Sequence, residues 1–277
     1  MRESQPTAAQ IEAFRRDGAV VLSGLLDDRW LGVLERGLER NLRNPGRNFA
    51  DFTSGSGGRC LKDYWAWRQI PEYQEFFRGS PVARTVGLLT GASTVRFLED
   101  QFFVKEAGAT TPSPWHQDAP YYAVEGNMCS TWMPLDTVSI DDALLTIAGS
   151  HAWNRSFRPI SFSTGRTLPG ADASTLEPIP DIDGAPPGQF TIQSWRMQPG
   201  DCLVFDSRTL HGNRGNKARH AIRRIALRWA IDTVKYEPGR YPWGELIEGH
   251  GLAPGQQLEG DTFPIVWTRQ GEPARSA

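Results

Sequence analysis

Three residues in this chain of 277 have the types and spacing to hold a metal ion. His116 and Asp118 stand two apart in "SPWHQDAPYY", residues Ser113 to Tyr122. On a strand, residues i and i+2 project to one face, so such a pair can offer an imidazole nitrogen and a carboxylate oxygen to the same ion. Alone, a His-x-Asp pair reads better as a surface pair or a satisfied core His than as a metal site. The third residue changes that reading. "GDCLVFDSRTLHGNRGN" is an apolar run, a short polar connection, then His211 followed by Gly212 and Asn213. A His at the end of a buried strand in a Gly/Asn loop is well placed to face a cavity. His116, Asp118 and His211 would form a two-His-one-carboxylate set, which leaves positions open on the metal and points to non-haem Fe(II) that activates O₂. Zinc in a His₂Asp site is the competing chemistry. His151 follows a strand without a carboxylate pattern, and His220 and His250 lie in polar stretches, so these three are read as non-ligands.

Ferrous oxygenases with such a ligand set commonly take electrons from 2-oxoglutarate. Its 1-carboxylate and 2-oxo group chelate the iron, and its distal carboxylate needs a cationic partner. A guanidinium fork on a rigid strand suits that carboxylate. Just past His211, "IRRIALRWA" is an apolar strand carrying Arg223, Arg224 and Arg228. If Ile225, Leu227 and Trp229 pack into the core, Arg224, Ala226 and Arg228 face the cavity. That parity favours Arg224 over Arg223, and the small Ala226 leaves room for a ligand.

The elements that must position these groups are mostly short strands. "TVRFLEDQFFVK", "CSTWMPLDTV", "ALLTIAG", "QFTIQSW", "DCLVFDS" and "RRIALRWAI" are apolar or alternating runs separated by Gly, Pro and Asp, which predicts a sandwich or barrel. The first ninety residues read as mainly helical. Thr7 with Gln10 makes a capping box and Gly18 a stop. "DDRWLGVLERGLERNLRN" places Leu31, Leu34, Leu38 and Leu42 on one helical face. Ser80-Pro81 opens a short helix with Val82, Val86 and Leu89 inward. With helices before strands and no βαβ alternation, the expectation is one mainly-β domain with α-helices. It divides into a helical flank over 1–92, a β-core over 93–235 and an extension over 236–277. Residues 153–189 form a polar, Gly/Pro-rich stretch without period, expected to be a lid.

A net charge of −2 gives no bulk electrostatic case for nucleic acid or an anionic membrane. Three widely spaced cysteines (Cys60, Cys129, Cys202) are neither a disulfide framework nor a zinc ribbon. No apolar leader and no membrane-length apolar run occur, so a soluble, cytoplasmic protein with a small-molecule substrate is expected.

"KEAGATTPSPWHQDAPYY", "STWMPLD", "GSHAW", "GDCLVFDSRTLHGNRGN" and "RRIALRW", in that order, resemble the phytanoyl-CoA dioxygenase (PhyH) family. "WRQIPEYQEFFRGSP" before them and "FPIVW" near the end also resemble bacterial members, so the likeness covers most of the chain. It implies a double-stranded β-helix (jelly-roll, cupin-like) core, with Fe(II), the co-substrate 2-oxoglutarate, and O₂. It implies that His116, Asp118 and His211 are the iron ligands, and that Trp132 and Gln101 line the 2-oxoglutarate pocket. In relatives the carboxylate-binding Arg falls about eleven residues after the distal His; here that position is Ile222, with Arg223 and Arg224 next. The implied reaction is hydroxylation of a substrate C–H, with release of succinate and CO₂. Halogenating members replace the carboxylate ligand by a small residue, and Asp118 is present. Tyr121, Tyr122 and Lys105 are the expected substrate-side residues, suited to a small polar or amphipathic metabolite. A cupin-type metal hydrolase or isomerase and a non-catalytic jelly-roll binding protein are the alternatives.

Overall fold

In a computed structural model of the chain, residues 5–53, 57–171, 175–216, 219–241 and 243–269 are described. Four α-helices lie in the first third. Helix α1, Ala8–Asp17, opens on the expected capping box: Thr7 Oγ accepts from the Gln10 N–H at 3.2 Å, and Gln10 Oε1 accepts from the Thr7 N–H at 2.9 Å. It ends at Gly18, whose φ of 78° is a left-handed C-cap that glycine takes without a Cβ penalty. Helix α2, Asp28–Arg43, is capped by Asp27, which accepts from the Trp30 N–H at 3.1 Å. Its buried face is Trp30, Val33, Leu34, Gly37 and Leu38. Leu42, expected inward, is exposed because the buried stripe runs through the 30–34–37–38–41 positions instead. Helix α3, Pro71–Gly79, precedes α4, Val82–Thr90, which buries Val82, Val86 and Leu89 as expected.

In chain order the strands are β1 Ala19–Leu22, β2 Ala50–Asp51, β3 Cys60–Tyr64, β4 Thr94–Lys105, β5 Ser113–His116, β6 Val124–Pro134, β7 Leu145–Ile147, β8 Ile192–Ser194, β9 Cys202–Asp206, β10 His211–Asn213, β11 Ile222–Tyr236 and β12 Ile265–Thr268. They form two antiparallel sheets. The major sheet runs β1-β9-β6-β11-β4-β3-β2, with β12 added to β4; the minor sheet runs β5-β10-β7-β8. This is the jelly roll, mainly β with helices at one side. The first ninety residues contribute strands as well as helices: β1 pairs with β9, and β3 with β4. Strand β12, from the C-terminal extension, also joins the sheet. The division into helical flank, core and extension is therefore not a division of the sheet, whose edges come from both ends of the chain.

Alternation along β4 and β11 sets which side chains enter the cavity. Phe102, Val104, Ile225, Leu227 and Trp229 join the large core with Leu34, Leu38, Phe76, Phe77 and Val86 from the helices. Each such buried side chain is worth about 1.5–3 kcal/mol. A one-residue slip would exchange them for Arg224 and Arg228, so the register is strongly specified. The opposite face of β4 and β11 carries Glu99, Gln101, Phe103, Lys105, Arg224, Ala226 and Arg228, all of which line one cavity. Within 153–189, Phe157 and Ile182 pack with Ile147 of the minor sheet, and Ile160, Ser161 and Phe162 reach the same cavity. The Trp115 indole N–H ties this segment down by donating to Asp183 at 3.1 Å.

Candidate metal centre

His116 closes β5 and His211 opens β10, and the two are direct cross-strand partners. Their rings stand 4.1 Å apart, centroid to centroid. The pairing is tight enough to need a glycine: a Cβ on Gly212 would come within 3.0 Å of the Ser113 carbonyl oxygen. Asp118 reaches the same point by a different route from the one expected. It lies beyond β5 in helical backbone, φ −73° and ψ −41°, at the start of the 3₁₀ turn Ala119–Tyr121. Strand alternation therefore does not bring it to His116; the turn does.

The three ligand atoms lie within 4.8 Å of one another. Asp118 Oδ1 is 3.7 Å from His116 Nε2 and 3.6 Å from His211 Nε2. Donors about 2.1 Å from one ion, at right angles, stand about 3 Å apart, so a small contraction closes the set. Ring orientation is fixed from behind. His116 Nδ1 lies 2.7 Å from the Pro114 carbonyl, and His211 Nδ1 lies 2.9 Å from that of Thr209. Each Nδ1 therefore carries the proton, and each Nε2 keeps its lone pair for a metal. Burial pushes the His116 imidazole down to about 3 and lowers His211 in the same direction, so both rings are neutral, as ligation requires. Among the described residues this is the single such group. His151 instead contacts the Arg15 carbonyl, and His250 packs on Tyr236.

The carboxylate of Asp118 is held by two further groups. Ser130 Oγ donates to Oδ2 at 2.6 Å, and Arg228 Nε stands 2.9 Å from the same oxygen. Burial would raise the carboxyl, but the Arg228 charge, with the Ser130 hydrogen bond, holds it below the usual carboxylate range. Arg228 is raised in turn: burial lowers it, and Asp118, Tyr122 and Glu99 more than compensate. Arg228 Nη2 also donates to Oδ1 at 3.2 Å, the oxygen that faces the histidines. Gln101 supports Arg228, accepting from Nη2 at 3.3 Å.

Two residues along the same strand face, Arg224 presents an unusual group. It is only 3% exposed, and its Nε and Nη2 have no partner. Its guanidinium stands 5.3 Å from the Trp132 ring centroid. Burial alone pulls it down to about 10. Ala226 separates Arg224 from Arg228 on that face and pairs with both Trp132 and Gln101. Arg223 points the other way and is paired with Asp136 at 2.8 Å. Lys105, expected beside the tyrosines, lies in the neighbourhood of Arg224. Its Nζ donates to Asn213 Oδ1 at 2.7 Å and to the Thr111 carbonyl at 2.9 Å, and burial pushes it down to about 7.

Tyr121 and Tyr122 both line the cavity, which has a volume of about 410 Å³, but their hydroxyls are engaged. The Tyr121 hydroxyl donates to the Ile160 carbonyl and accepts from the Ile160 N–H, both at 2.8 Å. The Tyr122 hydroxyl donates to Glu99. Burial raises Glu99 to about 8, partly opposed by Arg228. Sequence reasoning missed Glu99, Ser130 and Lys62. Glu99 was within reach, since it continues the parity of Gln101, Phe103 and Lys105. Ser130 and Lys62 carry no spacing signal.

A jelly roll with an inward His-x-Asp…His set and a buried, unpaired arginine on the facing sheet defines the class of non-haem iron, 2-oxoglutarate-dependent oxygenases. The family model of phytanoyl-CoA dioxygenase (PhyH) matches residues 14–225, and the chain belongs to that family. Among solved structures, the non-haem alpha-ketoglutarate-dependent epimerase SnoN of nogalamycin biosynthesis is 21% identical with a TM-score of 0.73, over 94% of this chain and 98% of that one. The carbocyclase SnoK of the same biosynthesis is 19% identical with a TM-score of 0.75, over 95% and 97%. EctD from S. alaskensis, solved with 2-oxoglutarate and 5-hydroxyectoine, is 18% identical with a TM-score of 0.62, over 99% and 87%. At this identity the likeness is one of fold. No curated protein matches significantly. Among the described residues, no helix is long and apolar enough to cross a membrane.

Proposed function

We propose that the chain is an Fe(II)- and 2-oxoglutarate-dependent dioxygenase that hydroxylates an unactivated C–H of a small-molecule metabolite, releasing succinate and CO₂. The observation that carries this reading is Arg224, a buried guanidinium with two unpartnered nitrogens at the end of the cavity that also holds the ligand triad. A buried cation without a partner is costly, and a carboxylate is the partner its fork fits. Trp132 gives that carboxylate an apolar wall, and Ala226 leaves the space between it and the triad. His116, Asp118 and His211 would hold the iron, Ser130 and Arg228 orient the Asp118 carboxylate, and the aromatic residues at the mouth exclude water. The iron with 2-oxoglutarate and O₂ supplies the oxidising power.

Adding 2-oxoglutarate to the Fe(II)-loaded protein without oxygen should raise a weak visible charge-transfer band, and admitting O₂ should release succinate. If neither appears with any metabolite pool, the proposal fails. SnoN and SnoK, an epimerase and a carbocyclase by description, motivate a second reading in which the substrate is isomerised or cyclised. Labelled ¹⁸O₂ decides between them: hydroxylation places one labelled atom in the product, whereas isomerisation or cyclisation places none.

A further inference from the structure

Away from Arg224, the cavity opens into a chamber walled by Tyr64, Trp65, Tyr121, Phe162 and Trp243. Lys62 lines it as well, together with the carboxylate of Glu245. The lysine sits on β3 opposite Phe103, which in turn sits opposite Arg224, so Lys62 is at the level of Arg224 two strands away. Its ammonium stands 5.3 Å from the Tyr64 ring centroid and 5.9 Å from that of Phe162. Among the described residues it has no hydrogen bond and no ion pair. The carboxylates whose fields it feels are Glu245 and Glu99. Glu245 accepts from the Tyr64 hydroxyl at 2.9 Å, and Glu99 accepts from Tyr122.

An ammonium drawn out of water without a partner is a cost, and burial does lower Lys62. Aromatic faces return about 0.5–2 kcal/mol, which offsets only part of it. A solvated surface lysine has no reason to stand between two rings at the mouth of an active site. The same faces also decide against a cationic substrate. Lys62 already occupies the faces of Tyr64 and Phe162, and a second cation there would meet a like charge. An acidic group meets the opposite case. Phe162 connects this point to the metal side, because its ring is 4.7 Å from that of His116. A molecule held at Lys62 therefore presents carbons further along its chain to the triad.

We propose that Lys62 anchors a carboxylate of the molecule that is oxidised, which makes the substrate class a small organic acid. This inference rests on the iron and 2-oxoglutarate reading above. The structure thus contains two cations awaiting anions: Arg224 for the co-substrate and Lys62 for the substrate.

The test uses the protein loaded with Fe(II) and 2-oxoglutarate under argon. The probes are straight-chain alkanoic acids, their primary amides and the matching alkylamines, and the readout is the shift of the visible band. Acids should shift it, and amides and amines should not. Lys62→Met should raise the acid concentration for half-shift by about tenfold or more, the loss expected for a charge-assisted hydrogen bond. Lys62→Arg should retain most of the response. The 2-oxoglutarate needed to form the band should be the same in all three proteins, which also shows that the variants are folded. The proposal is overturned if amines act as well as acids, if no acid shifts the band, or if Lys62→Met leaves the response unchanged. It is equally overturned if Lys62→Met instead raises the 2-oxoglutarate requirement, which would assign Lys62 to the co-substrate. Absence of the band in the wild type would overturn the proposed function itself, a separate result.

Discussion

The minor sheet carries its two histidine ligands on strands of four and three residues, β5 and β10, whereas the major sheet presents its cations on strands of twelve and fifteen, β4 and β11. The two sheets reach precision by different means. A long strand places side chains by alternation and rise: Arg224 and Arg228 are about 13 Å apart along β11, at roughly 3.3 Å per residue. Short strands have no such ruler. The minor sheet relies instead on one cross-strand pair, a close glycine, a turn that returns Asp118, and carbonyls that orient both imidazoles. Metal affinity should therefore depend on a few local contacts, and anion affinity on a well-buttressed wall.

The most severe test of this division is His211→Ala. It should eliminate bound iron, measured by metal analysis, and O₂-dependent succinate release with it, while leaving the major sheet folded by circular dichroism. Arg224→Met should act on the other sheet alone. The loss of a charge-assisted pair, about 1.5–3 kcal/mol, predicts a 2-oxoglutarate requirement raised roughly ten- to hundredfold with iron binding intact. The metal- and co-substrate-free variant should unfold at the same or a higher temperature, since an unpaired buried guanidinium has been removed. Arg223→Met, which breaks the pairs with Asp136 and Glu35 on the face away from the cavity, should leave the 2-oxoglutarate requirement unchanged. Iron loss in Arg224→Met would mean that the sheets are not independent.

Ser130→Ala probes the seam, because Ser130 belongs to the major sheet and holds the Asp118 carboxylate. Metal affinity should weaken by about tenfold, the usual cost of losing a group that orients a ligand. The smallest effect concerns Glu99. Burial raises its carboxyl from the ordinary range to about 8, so the folded state holds a proton that the unfolded state releases near 4.5. Its contribution is fully present below pH 4.5 and is lost as pH rises through about 8. Buried His116 and His211, lowered from the ordinary 6.5, contribute the opposite slope below that pH, so the Glu99 effect is read as a difference: the metal-free wild type should lose thermal stability relative to Glu99→Gln between pH 4.5 and about 8. Buried Asp100, raised to about 7, adds a fall of the same sign that this substitution leaves in place.

The same contrast explains what the sequence made legible. Strand β4 matches the alternating run "TVRFLEDQFFVK" end to end, and parity along β11 separates Arg224 from Arg223. Both are long enough for a period to register. Strands β5 and β10 escaped pattern reading because three or four residues containing Pro or Gly have no period. Their ligands were found through residue chemistry and family resemblance instead. Strand β3 escaped for the same reason, and Lys62 with it: "CLKDY" has no alternation, and of its chamber neighbours only Tyr64 and Trp65 are close in sequence, whereas Glu99, Phe162 and Glu245 are distant. The two tyrosines illustrate the opposite error. Their position beside the His-x-Asp pair placed them on the substrate side, but it carried no sign that Ile160 and Glu99 engage their hydroxyls and leave only their faces to the cavity.

The pairing of His116 with His211 also bears on how the chain acquires its active form. A slip of one residue between β5 and β10 would turn one imidazole to the far side of the sheet. Only the correctly aligned pair can capture the ion, so metal uptake acts as an alignment check on the shortest and least self-determined part of the fold. Binding energy is released to the native register alone, and a cell supplying iron during synthesis would help select it.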